Sequence, residues 1–108
     1  MGKAIDLYRD GMFADSLITL DFIQLGESRY FHKDYYTMLN FLQLHWFESA
    51  LKIAKEILPY SQDDESTFMI HYVRLTCRKE LETISRRELR MLEGIRLHKE
   101  QILADYGF

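Results

Sequence analysis

This 108-residue sequence predicts an all-α fold, a stack of about six helices taken in pairs. Three observations carry that expectation. Apolar residues recur at three- and four-residue steps along most of the chain, the period of one helix face, and not in the strict alternation of a strand. Proline occurs once, and helices tolerate few prolines. The stretch Gly11–Ile23 matches His45–Ile57 in residue class at a constant offset of 34 residues.

Each element follows from its own residues. Ala4 to Asp10 forms a short helix with Ile5, Leu7 and Tyr8 as its apolar side, and Gly11 breaks it. Phe13 to Leu25 is the next helix, striped by Phe13, Leu17 and Leu20, with Gly26 as its stop. Glu27 to Lys33 is polar and serves as a connection. Asp34 is placed to cap a third helix, Tyr35 to Leu44, by accepting backbone N–H bonds. Phe47 to Leu58 carries Phe47, Leu51, Ala54 and Leu58 on one stripe, and Pro59 ends it. The acidic run Asp63-Asp64-Glu65 suits the positive start of a helix from Glu65 to Leu81, which carries Phe68, Met69, Tyr72 and Leu75. Ser85 and Glu88 have the spacing of a capping box. The last helix then runs unbroken from Arg86 to Ala104 through Leu89, Leu92, Ile95 and Ile102. Gly94 lies inside it at a cost of about 1 kcal/mol against alanine, which a close helix crossing at that point would offset; an accident of drift is the equal alternative.

The bulk properties narrow the class of molecule. The length suits one domain, residues 1–108, that needs neither metal nor disulfide to fold. With 47% hydrophobic and 29% charged residues, the composition is that of a globular protein and not of a disordered one. One cysteine, Cys77, cannot close an internal disulfide. The first residues have no apolar run of a signal peptide, and no stretch approaches the roughly 18 apolar residues of a membrane span. Those absences lead to the expectation of a cytoplasmic protein. The net charge of −3 is unevenly spread: residues 1–65 hold 6 basic and 11 acidic side chains, and residues 66–108 hold 8 basic and 6 acidic. An acidic chain is poorly suited to direct nucleic-acid binding. Its basic half, with Arg74, Arg78, Arg86, Arg87 and Arg90, suits an acidic protein partner. The plainer alternative is a solvated helix face with pairs such as Glu82 and Arg86.

The repeat is the most informative feature. Phe13 aligns with Phe47, Ser16 with Ala50, Leu17 with Leu51, Leu20 with Ala54 and Ile23 with Ile57. An aromatic opens the second helix of each pair, a small residue three positions on lets two helices approach, and aliphatics follow at successive turns. Thirty-four residues is the tetratricopeptide period. One such pair cannot bury its apolar face alone, so pairs stack. The third pair, after Asp64, drops the frame.

No constellation for catalysis, metal or cofactor emerges. The chain has no phosphate-binding glycine loop, G-x-S-x-G or H-E-x-x-H pattern. His71 and Cys77 are six residues apart, about 240° around a helix, and point away from each other. Cys77 lies between Arg74 and Arg78, which would activate it if it were exposed; a buried, inert thiol is the alternative. Asp63, Asp64 and Glu65 lack the spacing and glycine of a calcium loop. The aromatics Tyr35, Tyr36, Phe41, Trp46 and Phe47 read first as core, with Trp46 at a turn and Tyr36 the ones placed to meet a partner. These residues support no enzyme and no cofactor.

Taken in order, the weak signals also resemble a family. Ala4-Ile5-Asp6-Leu7-Tyr8-Arg9-Asp10-Gly11-Met12-Phe13 is similar to the opening of the bacterial transcriptional activator domain, the helical-repeat domain beside a winged-helix DNA reader. Asp21-Phe22, Glu27 and Arg29, Tyr35 to Leu58 with Ala50-Leu51 and Ala54, Asp64-Glu65 with His71, and Ile102 to Phe108 fall where that family has related features. The resemblance implies a bacterial, non-enzymatic activation or oligomerisation module. Its partner would be RNA polymerase, another regulator subunit or a second copy in a homodimer, with no direct nucleic-acid or membrane contact. Tyr36, Trp46, Arg74, Arg78, Arg86, Arg87 and Arg90 are the candidate partner-binding residues. The alternative function is a small helical-repeat chaperone or adaptor that cradles an amphipathic helix of a client such as a secretion-system subunit.

Overall fold

The computed structural model describes residues 1–23 and 30–108. Seven α-helices form among them: α1 (Gly2–Arg9), α2 (Phe13–Asp21), α3 (Tyr30–Gln43), α4 (Phe47–Ile57), α5 (Asp64–Glu80), α6 (Arg86–His98) and α7 (Glu100–Asp105), with a 3₁₀ turn at Leu58–Tyr60. The described residues contain no strand. The expected stop at Gly26 and the start of the connection at Glu27 lie outside the described residues.

Each helix packs on the next, from α1 to α6. In addition α1 packs on α3 and α3 on α5, so the first helices of the three pairs stand side by side. The core runs through the stack: Tyr8, Phe31, Tyr35, Met38, Leu39, Leu42, Ala50, Ala54, Ile57, Met69, Ile70, Val73, Leu75 and Leu92 form one buried cluster. At roughly 1.5–3 kcal/mol per buried large apolar side chain, this cluster is the main force holding the pairs together.

The 34-residue offset extends to the backbone. Gly11 has φ +79° and His45 has φ +62°. Met12 follows at φ −92°, ψ 67° and Trp46 at φ −89°, ψ 70°, and α2 and α4 begin at Phe13 and Phe47. In the first turn the Met12 N–H donates to the Leu7 carbonyl (2.9 Å) and the Gly11 N–H to the Tyr8 carbonyl (3.1 Å). In the second the Trp46 N–H donates to Phe41 (2.8 Å) and the His45 N–H to Leu42 (3.1 Å). This pair of bonds is the Schellman cap, which satisfies the orphan carbonyls at a helix end and needs one left-handed residue. The third pair repeats the cap at Glu82, φ +58°, with Thr83 N–H to Arg78 at 2.8 Å. Glu82 lies 37 residues after His45, and α6 starts four residues after it where α4 starts two after His45, so the 34-residue frame is lost before the turn and again after it.

Small residues sit where the helices cross. Ser16 and Ala50, aligned in sequence, are both fully buried, as are Leu20 and Ala54. The Ser16 hydroxyl donates to the Ala4 carbonyl (2.8 Å) and accepts from Asn40 Nδ2 (2.9 Å), which also donates to the Tyr36 carbonyl (2.9 Å). One polar chain thus ties α1, α2 and α3 together inside the core.

Two expectations need correction, and the alternatives at Gly94 separate. Asp34 does not cap α3; the helix begins at Tyr30, because Phe31 is itself a core residue and extends the stripe of Tyr35, Met38 and Leu42 back by a turn. The expected single helix from Arg86 to Ala104 breaks at Lys99, φ −127°, ψ 29°, giving α6 and α7. Of the two readings of Gly94, the close crossing is not met among the described residues, since a Cβ built there would meet nothing within 4 Å. The capping box does form: the Glu88 N–H donates to Ser85 Oγ and the Ser85 N–H to Glu88 Oε1, both at 3.2 Å. At α5, Asp63 caps through Oδ1 on the Ser66 N–H at 2.7 Å, and the helix starts at Asp64, one residue before the start read from sequence.

Candidate interaction site

The seven candidate residues fall into three groups. Arg74 and Arg78 lie on α5 and turn inward to α6. Arg74 Nη1 reaches Glu88 Oε2 at 3.2 Å and Arg78 Nη2 reaches Glu88 Oε1 at 3.1 Å. Arg78 Nη2 also donates to the Thr83 carbonyl at 2.8 Å. These two guanidiniums are half-buried and clamp the third pair. The Ser85 backbone N–H, with the two arginines, holds the Glu88 carboxyl below the usual carboxylate range. Arg86, Arg87 and Arg90 are exposed on α6 and make no ion pair among the described residues. The Glu82–Arg86 pair considered from sequence is likewise not among the ion pairs of the described residues. The basic charge of the third pair is thus split into an inner clamp and an outer face.

Trp46 stands at the tip of the second turn, 53% exposed, with its ring 5.4 Å from Phe41. Met12 occupies the equivalent place in the first turn and is 47% exposed. The two turns therefore present apolar side chains along one edge of the stack. Tyr36 is half-buried. It packs edge-on against Tyr8 (5.8 Å) and lines a cavity of about 290 Å³ with Arg9, Glu65, Asp105 and Tyr106. Burial pushes its phenol up.

A second surface, with no local signature in the sequence, is the row of first helices and the segment that lies across it. Tyr106 and its neighbours reach α1, α3 and α5 in turn. The Tyr8 hydroxyl donates to the Tyr106 carbonyl at 2.6 Å. Gln43 Nε2 donates to the Tyr106 carbonyl at 3.3 Å and to the Gly107 carbonyl at 3.5 Å. The Tyr106 hydroxyl donates to Glu65 Oε2 at 3.0 Å. The Tyr106 ring stands edge-on to Tyr35 at 6.1 Å, and Phe108 edge-on to Tyr72 at 5.3 Å. Leu103 is buried. Burial drives the Tyr8 and Tyr35 phenols far above their ordinary range and raises Tyr106 to about 12. The Tyr35 hydroxyl, buried beneath this segment, has no hydrogen-bond partner among the described residues. In the sequence Tyr8, Tyr35, Tyr36 and Tyr72 read as ordinary core.

Cys77 is fully buried, and burial pushes its thiol up to about 12. That favours the inert reading of the two weighed from sequence. His71 is lowered, first by burial and then by Arg74. No cluster of three or more metal-ligating side chains occurs among the described residues. No helix among them is long and apolar enough to cross a membrane. No protein-family model, curated protein or solved structure matches the chain.

Proposed function

We propose that this chain works by binding, without a chemical step, as the protein-interaction module of a bacterial transcription regulator, built as a tetratricopeptide-like stack. The observation that carries the reading is the split of arginines around Glu88. Arg74 and Arg78 are used up within the fold, whereas Arg86, Arg87 and Arg90 stand exposed on α6. An exposed basic face on a chain of net charge −3 suits an acidic protein surface, reached with electrostatic steering. The matched turns at Gly11 and His45 support the repeat half of the proposal, because stacked pairs present extended surfaces for partners. Cytoplasmic function accords with this reading.

A second reading, a helical-repeat chaperone or adaptor, has its own support. The row formed by α1, α3 and α5 already holds a short helix and its tail, through Tyr8, Gln43 and Glu65. A client helix of similar chemistry would use the same surface.

Capture from source lysate separates the two. The full chain and its Arg86→Glu/Arg87→Glu/Arg90→Glu variant serve as baits, and captured proteins are identified by mass spectrometry. The regulator reading expects RNA polymerase or a regulator subunit, lost with the variant. A secretion-system subunit held equally by both baits supports the chaperone instead and overturns the first reading.

A further inference from the structure

The break at Lys99 has no local cause. Kinks almost always mark proline, glycine or serine, or an inserted group, and residues 95–104 contain no proline, glycine or serine. Lysine, glutamate, glutamine and alanine around it are good helix formers. Lys99 makes no side-chain cap for α7. Its N–H still bonds the Ile95 carbonyl at 2.9 Å, and its carbonyl still accepts from Leu103 at 3.1 Å. The first N–H groups of α7, on Glu100, Gln101 and Ile102, have no partner within that helix; a straight helix would give them the carbonyls of Arg96, Leu97 and His98. The bend is therefore held from a distance, by Leu103, Tyr106 and Phe108 seated across α1, α3 and α5.

We propose that Lys99 is the hinge of a domain swap, and that the row of first helices accepts the α7 segment of a second copy of this chain. Straightened, Arg86–Asp105 becomes one helix of about 30 Å that carries Leu103, Tyr106 and Phe108 away from their own groove. The same groove in another copy fits that segment by construction, since the contacts are identical in the two arrangements. Exchange of one element between copies is a low-cost route to a dimer. The hinge bonds gained on straightening favour the dimer, and the lost freedom of the second chain opposes it, so the state depends on concentration. This inference goes beyond the basic face of α6 and stands whether or not that face has an acidic partner.

The test uses the full chain and two hinge variants. Lys99 is exposed, so neither Lys99→Ala nor Lys99→Gly disturbs the core, and circular dichroism checks that both fold. Dimer Kd is measured by light scattering across concentration. Glycine disfavours a helix interior by about 1 kcal/mol against alanine, and a reciprocal dimer has two hinges, so Lys99→Ala dimerises about 30-fold more tightly than Lys99→Gly. In the dimer of Lys99→Ala, isotope-filtered NMR on mixed labelled and unlabelled chains gives contacts between Tyr8 of one copy and Tyr106 of the other. Equal Kd values, monomers at millimolar concentration in both variants, or Tyr8–Tyr106 contacts only within one copy would each overturn the proposal. Loss of the swap with partner capture intact leaves the proposed function standing, and the reverse result leaves the swap standing.

Discussion

Glu88 links more of the third pair than any other single residue. It closes the capping box of α6 with Ser85 and accepts both Arg74 and Arg78. Glu88→Gln keeps the shape but removes the charge that two half-buried guanidiniums face. Glutamine still closes the capping box, so the loss is that of the part-buried ion pairs, about 1 kcal/mol, read as a fall of roughly 4–8 °C in melting temperature. The pH dependence has a definite sign. A carboxyl whose folded pKa is depressed contributes stability above its unfolded value, roughly 4.3, and loses that contribution as pH falls through the folded one. Thermal melts of the wild type should therefore drop below about pH 4 more steeply than those of Glu88→Gln. Cys77 gives the other residue-scale expectation. With its thiol buried and pushed up to about 12, it should react with Ellman's reagent at pH 8 only as fast as the fold opens. Prompt labelling of the folded chain would place it at the surface. Sequence spacing gave the Ser85–Glu88 box in full, since a cap is a local matter. That both arginines turn inward to one glutamate depends on how α5 and α6 face each other, and no local spacing encodes it.

At the scale of the element, the chain solves one problem three times. Each pair needs a left-handed residue at its turn, and the three solutions are Gly11, His45 and Glu82. Glycine adopts that conformation at no steric cost, whereas a side chain there is strained. His45→Gly should therefore stabilise the fold by about 0.5–1 kcal/mol, less what the His45 ring gains stacked on Phe47 at 5.5 Å. Chemical denaturation measures it, and a clear loss of stability would mean that the stacking outweighs the backbone strain. Gly11 was legible as a turn because glycine signals one. The turns around His45 and Glu82 follow in the sequence from the helix ends at Leu44 and Leu81 and the starts at Phe47 and Ser85, but neither residue signals its left-handed backbone, because a histidine or a glutamate carries no turn signal of its own. Likewise the periodicity placed Leu92, Ile95 and Ile102 on one helix face but not the break between them. That break is set by side chains of α1, α3 and α5, distant in sequence.

At the scale of the whole molecule, two surfaces stand apart. The outer face of α6 bears Arg86, Arg87 and Arg90 in solvent, and the row of first helices is covered by the segment Leu103–Phe108 through Tyr8, Gln43, Glu65 and Tyr72. The uneven charge of the sequence pointed to the first; the second combines residues from three helices and the segment after α6, which only the packing assembles. The two surfaces differ in how they should respond to change. Ser16→Ala, which breaks the buried chain between Ala4 and Asn40, should lower stability by about 1 kcal/mol and leave partner affinity unaltered. Charge reversal on α6 should do the opposite. The most direct test of the account is therefore a titration of the captured partner against the wild type and the Arg86→Glu/Arg87→Glu/Arg90→Glu variant, at low and at high salt. The account predicts at least about a tenfold weaker Kd for the variant at low salt, a difference that shrinks as salt screens it, and an unchanged melting temperature. Equal affinities for the two chains at low salt would contradict it.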